Sequence, residues 1–229
     1  LSPVTIGIGA YGILRFTSPL LPQIAPFIVG WAFITILYGG LVALSEDDIK
    51  RLLAYSSVSH MGYMLLGIAS VTWLGTAGVA YHYVSHAFLK VILFMTAGVL
   101  MIQLHGNRRI SLMGGLGAKM ALPALFMASG FLGLAGFPPF SGFNSKLLIF
   151  AGSFMGAQSP LCIGIVVAAL LSTFLTLGYG ALTFKRTMLG EMKEGVEVEK
   201  AEPIMLASIG FLLVLAVIFF FLPSLVLVP

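Results

Sequence analysis

The sequence predicts an all-α fold, a polytopic transmembrane helix bundle of about seven helices with one of them broken at Pro138-Pro139. Three observations predict it. Hydrophobic residues make up 59% of the chain and charged residues only 9%, where a water-soluble domain carries roughly 25% charged residues. The mean hydropathy is +1.07. The apolar residues fall into runs close to the roughly 20 needed to cross a bilayer. Inside one of these runs stand two prolines and then Lys146. Irregular backbone at membrane depth is tolerated only where protein or water covers it, and a cation there marks a functional interior by default.

Seven apolar segments follow in order, over 3–16, 26–44, 52–70, 72–104, 119–154, 161–184 and 203–222. Together they read as a single transmembrane domain over 1–229. The first segment is short, and the chain opens in the middle of an apolar stretch without Met or a basic leader. The expectation is therefore a piece of a larger protein. The second and third segments flank Glu46-Asp47-Asp48, and the third carries His60 among hydroxyls (Tyr55, Ser56, Ser57, Ser59, Tyr63). A lone helical histidine reads either as a hydrogen-bonded packing residue or as a solvated functional group at depth. The fourth segment places His82, His86 and Lys90 four residues apart on one helix face. Histidine titrates near neutral pH and a buried lysine exchanges its proton readily, so the stripe reads foremost as a proton relay. Structural hydrogen bonding is the second reading. A shared metal is the weakest, because no carboxylate joins the pair and Lys90 would repel a cation. His82 is placed nearer the rim of the span than the other two.

The fifth segment is too long for one crossing. Gly136-Phe137-Pro138-Pro139-Phe140-Ser141-Gly142 would split it into two half-helices, with Lys146 just beyond the break. The sixth and seventh segments are plain spans. The loops alternate in charge: Lys50, Arg51, Arg108, Arg109, Lys119, Lys185, Arg186, Lys193 and Lys200 on one side, Arg15 alone on the other. The positive-inside rule puts the basic set in the cytoplasm and the C-terminus outside. Arg15 snorkels to the interface, and His105 ends a helix beside Arg108-Arg109. The polar loop 190–202 is a solvated connection or a partner-docking segment.

Several functions are excluded. The basic residues lie between apolar segments, so they do not form a nucleic-acid surface. Gly-rich phosphate loops, cysteine clusters and nucleophile elbows are absent, and Cys162 is the only cysteine. No metal site is expected. No acid lies in a span; dehydrated Na⁺ would prefer hard oxygen ligands, so the composition favours protons.

Four stretches together resemble one family. Glu46-Asp47-Asp48-Ile49-Lys50-Arg51-Leu52-Leu53-Ala54-Tyr55-Ser56-Ser57-Val58-Ser59-His60-Met61-Gly62-Tyr63 is the first, and Ser85-His86-Ala87-Phe88-Leu89-Lys90 with Leu93-Phe94 the second. Met113-Gly114-Gly115-Leu116 and Gly136-Phe137-Pro138-Pro139-Phe140-Ser141-Gly142-Phe143-Asn144-Ser145-Lys146 complete the set. They resemble the antiporter-like, proton-translocating subunits of respiratory complex I (subunit M/4 type), of Mrp antiporters and of membrane-bound hydrogenases. The resemblance implies a fold of fourteen helices with two inverted repeats, of which this chain would hold the eighth to fourteenth and so the second, outward-linked half-channel. It implies central-axis roles for His60 and His86, a variable lysine at Lys90 and the terminal protonatable site at Lys146. The family's eighth-helix lysine would fall near Gly7, where this chain has none. Also implied are an energy-transducing inner membrane, other membrane-arm subunits as partners, and iron–sulfur clusters in those partners with no cofactor in this chain. The chain would then be a non-redox subunit of a multisubunit oxidoreductase. A Na⁺/H⁺ antiporter component of the Mrp kind and a non-conducting structural half-subunit are the alternatives.

Overall fold

A computed structural model describes residues 4–17, 19–192 and 201–225. Among these residues the structure is helical throughout, with no strand beyond an isolated bridge between Asp48 and Arg109. The helices are α1 (Thr5–Thr17), α2 (Leu21–Ser45), α3 (Ile49–Ala69), α4 (Trp73–Gln103), α5 (Ala121–Ala135), α6 (Ser141–Gly156), α7 (Pro160–Leu171), α8 (Thr173–Met188) and α9 (Pro203–Phe221). They fill seven span positions, because α5 and α6 are the halves of the broken fifth segment and α7 and α8 share the sixth.

Local chemistry sets the ends. Asp48 caps α3, its carboxylate accepting from Lys50 N at 2.8 Å and Arg51 N at 3.1 Å. Thr72 caps α4 through Gly75 N at 3.1 Å, and Ser159 caps α7 through Cys162 N at 3.2 Å. Each satisfies a backbone donor that a helix start leaves without a partner. Pro160 and Pro203 stand in the first turns of α7 and α9, where a missing N–H costs nothing. α5 stops because Gly136 turns left-handed at φ +93°; the following Pro138-Pro139 bond is cis.

The sixth span holds an interruption that its apolar pattern does not announce. At Ser172 the hydroxyl folds back on Ala168 O at 2.8 Å, and Thr173 Oγ1 does the same to Leu170 O at 2.7 Å. Such back-bonding competes with the helix ladder and bends it.

Packing places α3, α4 and α6 at the centre. α3 is the most enclosed of the long spans and α9 the least. α2 lies close on α3 because Gly62 has no side chain: a Cβ there would stand 2.8 Å from both Ala32 O and Ile36 N. Ser59 Oγ crosses the same seam to Ile36 O at 2.9 Å. On the other side of α2, Phe27, Trp31, Ile34, Tyr38 and Leu41 form an exposed apolar stripe suited to lipid.

The basic loops gather at one end of the bundle. Asp47 accepts from Ser111 N at 2.8 Å and Ser111 Oγ at 2.6 Å. Ile49 N donates to Arg108 O at 3.1 Å, and Gly115 N to Leu189 O at 3.0 Å. Arg51 pairs with Glu46 at 2.8 Å. Lys193 and Lys200, and with them most of the polar loop, lie outside the described residues. At the opposite end Thr72 Oγ1 donates to Gly152 O at 3.2 Å, tying the α3–α4 turn to the end of α6.

Candidate functional site

The centre of the bundle is polar. His60, His82, His86, Lys90 and Lys146 are all buried, none more than 5% exposed. α3 supplies His60, α4 supplies His82, His86 and Lys90 from one face, and α6 supplies Lys146. The three helices converge there because small residues line the contact. Gly78 of α4, for instance, would put a Cβ only 2.7 Å from Ile149 N of α6.

The histidines form one cluster. His60 Nδ1 stands 3.2 Å from His82 Nε2, and the other nitrogen of His82, Nδ1, lies 2.9 Å from Ser145 Oγ. One ring nitrogen in each imidazole pair donates and the other accepts. Ser145 in turn donates to Gly142 O at 2.9 Å, within the first turn of α6. The His60 and His82 rings stack at 5.3 Å and 15°, and His86 completes the triangle at 5.3 Å from His60 and 6.0 Å from His82. Beside His86, Ser85 Oγ meets Ser141 Oγ at 2.8 Å across the α4–α6 seam.

His82 therefore does not lie near the rim, as its sequence position suggests; it is the hinge of the cluster. The reason is packing, since α3 and α6 close over this face of α4 through His60 and Ser145. α4 runs for 31 residues, so its tenth residue lies about 14 Å inside the helix start at 1.5 Å per residue.

The two lysines are held at depth by different means. Lys146 Nζ donates to Ala135 O at 3.1 Å. Ala135 is the last residue of α5, so its carbonyl is one of those a helix end leaves without a partner, and the negative end of the helix dipole favours a cation there. The break at Gly136 thus has a direct electrostatic use. Gly136 also makes room, since a Cβ on it would stand 3.0 Å from Lys146 Cδ. On its other side Lys146 Nζ sits 4.7 Å above the Tyr63 ring, a cation–π contact. Lys90 reaches into the first turns of α3 instead, donating to Leu53 O at 2.7 Å and to Ser56 Oγ.

Pro138 and Pro139 shape the break without touching the lysine directly, and Gly142 lets α6 start against Gly133 O of α5. His105 stays at the end of α4, in the left-handed region at φ +50°. Gly7, where the family's eighth-helix lysine would fall, packs its Cα against the Tyr83 ring. Sequence reasoning missed Ser145 and Tyr63 as partners. Tyr63 lies three residues after His60 and so shares its face of α3, but its contact with Lys146 depends on how α6 packs against that face.

Among the described residues no group of His, Cys, Asp or Glu is arranged to hold a metal ion, and no acid lies within a named helix.

A multispan helix bundle with a buried polar axis, crossed by a helix broken beside a lysine, defines a membrane-embedded protein of the antiporter-like architecture. The chain belongs to the family described as NADH:quinone oxidoreductase/Mrp antiporter, TM, whose sequence model matches residues 1–176. It is 35% identical over 228 residues to F(420)H(2) dehydrogenase subunit M of Methanosarcina mazei, covering 96% of this chain and 45% of that protein. It is 34% identical over 230 residues to NADH-quinone oxidoreductase subunit M of Rickettsia bellii, covering 98% and 45%. Among solved structures, respiratory complex I from Thermus thermophilus superposes with a TM-score of 0.84 at 28% identity, over 96% of this chain and 46% of the matched one. The chain spans about half the length of the curated relatives it matches.

Proposed function

We propose that this chain carries the second, outward-linked half-channel of an antiporter-like subunit in a redox-driven proton pump of the complex I or membrane-bound hydrogenase type. In that reading it corresponds to helices eight to fourteen of the family fold and forms one transmembrane domain. The observation that carries it is the buried chain Lys90, His86, His60, His82, Ser145 and Lys146. Its hydrogen bonds and ring contacts run from His86 to Ser145, between two buried lysines that no acid within a named helix neutralises. Such groups are costly at membrane depth unless they serve a path.

Protons would enter near Lys90, pass between imidazoles by exchange of the donating and accepting nitrogens, and reach Lys146 at the break. Lys146 alternates between ammonium and amine while its Ala135 and Tyr63 partners stay in place. Charge at one lysine biases the other: their anchors on α3, Ser56 and Tyr63, lie about 10 Å apart along the helix, and two unit charges at that distance interact by about 1.5 kcal/mol at an effective dielectric near 20. The ligand set favours H⁺ over Na⁺, because the buried residues offer imidazole and amine rather than the oxygen cage a hard cation needs. The basic loop cluster would face the cytoplasm and the C-terminus the outside. Electron carriers, iron–sulfur clusters included, would reside in partner subunits of the membrane complex.

The test is Lys146→Ala in the full complex, reconstituted in vesicles. Proton-to-electron stoichiometry falls while electron transfer in the partner subunits continues. An unchanged stoichiometry overturns the reading.

A further inference from the structure

The histidines lie between the two lysines, and a second set of polar groups lies between them where α8 meets α3. Ser56, His60 and Tyr63 lie at i, i+4 and i+7 and share one stripe of α3. α8 turns Thr176 and Tyr179, three residues apart, toward that stripe. The hydroxyl of Tyr179 neighbours Ser56 and Thr176, and that of Tyr63 neighbours Thr176.

These groups close a circuit. Ser56 receives a hydrogen bond from Lys90, and the Tyr63 ring lies 4.7 Å beneath Lys146 Nζ. Between those ends, the hydroxyls of Tyr63, Thr176 and Tyr179 approach one another without completing a hydrogen bond of good geometry, although all three residues are at most 1% exposed. Buried polar groups are almost always satisfied, and leaving one unsatisfied costs about 1–3 kcal/mol. Neighbouring buried hydroxyls whose mutual bonds are incomplete are what a bridging water needs, since a buried water makes two to four hydrogen bonds to polar walls.

We propose that Ser56, Tyr179, Thr176 and Tyr63 hold bound water and form a second proton-conducting arm between Lys90 and Lys146, parallel to the histidine arm. The inference rests on the proton-translocating reading above. At each hop an oxygen lone pair accepts one proton and the same oxygen releases another, so no heavy-atom bond changes and no electron moves. Lys90 gives up the first proton and the Lys146 amine takes the last. Phe131, which packs edge-on against Tyr179 with ring centroids 6.2 Å apart, fixes that ring toward the axis.

The experiment is a double-mutant comparison in the full complex reconstituted in vesicles, with proton translocation read by an interior pH dye. The hydroxyl arm is cut by Thr176→Val with Tyr179→Phe, and the histidine arm by His82→Phe. Parallel arms cover for each other, so the combined variant loses about tenfold more than the product of the separate losses, within the range seen for coupled residues. Losses that simply multiply overturn the proposal, and so does a hydroxyl variant that alone abolishes translocation. A second readout is independent of activity: an infrared water band, shifted by H₂¹⁸O, changes when the lysines exchange protons and vanishes in Thr176→Val. A wild-type complex without that band also overturns the proposal. Lys146→Ala separates the two levels. If it leaves translocation intact, both readings fall; if it removes translocation while the hydroxyl and histidine losses only multiply, the second arm alone falls.

Discussion

Gly136→Ala tests why the helix is broken. Gly136 sits at φ +93°, where an L-residue costs roughly 1–2 kcal/mol more than glycine. Its new methyl would also stand 3.0 Å from Lys146 Cδ. That atom belongs to a flexible side chain, so the crowding falls on the lysine's position and not on the fold. Moving the ammonium away from Ala135 O forfeits a hydrogen bond to a charged group worth about 1.5–3 kcal/mol. Two effects follow and can be separated. Thermal denaturation of the purified complex shows the backbone cost of about 1–2 kcal/mol together with part of the lost Lys146–Ala135 hydrogen bond. Proton translocation falls further, because Lys146 no longer sits at the end of α5. In a Lys146→Ala background the crowding disappears and only the backbone cost remains, so the stability losses of the two variants are not additive. A Gly136→Ala complex with unchanged thermal stability and full translocation would refute the idea that the break exists to hold Lys146.

Two further predictions concern the polar axis and its end loops. His82→Asn removes a ring whose two nitrogens contact His60 and Ser145; it lowers translocation well below that of His105→Asn, which changes a residue at the end of α4, as a vesicle pH-dye assay shows. Asp48→Ala removes the α3 cap and costs about 1 kcal/mol, a lower melting temperature with the same proton-to-electron ratio in complex that still assembles.

Much of the fold was legible because lipid imposes a simple length rule. Five of the seven segments reappear as single helices with ends shifted by a few residues, the sixth is divided between α7 and α8, and the fifth breaks between α5 and α6 around the two prolines. What stayed hidden depended on hydroxyls. Ser172 bends the sixth span through its own side chain, and an isolated serine in an apolar run carries no such signal. The axis residues were legible as types: a histidine or lysine inside an apolar helix stands out. Their partners were not. His82 was misplaced because its enclosure depends on α3 and α6 packing over that face of α4. Ser145 and Tyr63 acquire their contacts only when α6 packs on α3 and α4, a long-range arrangement that no local spacing encodes.

The two lysines are held by neutral oxygens and an aromatic face, and this choice has a mechanical consequence. A carboxylate about 4 Å from either ammonium would hold its charge by about 4 kcal/mol at an effective dielectric near 20. Losing the proton would then strand a buried acid, the most expensive outcome of breaking a buried ion pair. With Ala135 O and the Tyr63 ring around Lys146, and Leu53 O with Ser56 around Lys90, either lysine can lose its proton and leave no charge behind. The amine that remains can still donate to the same carbonyl, so the side chain keeps its place in either protonation state. The broken helix and the serine-rich turn therefore solve one problem in two ways: each supplies enough partial negative charge to admit a cation at depth, and too little to trap it.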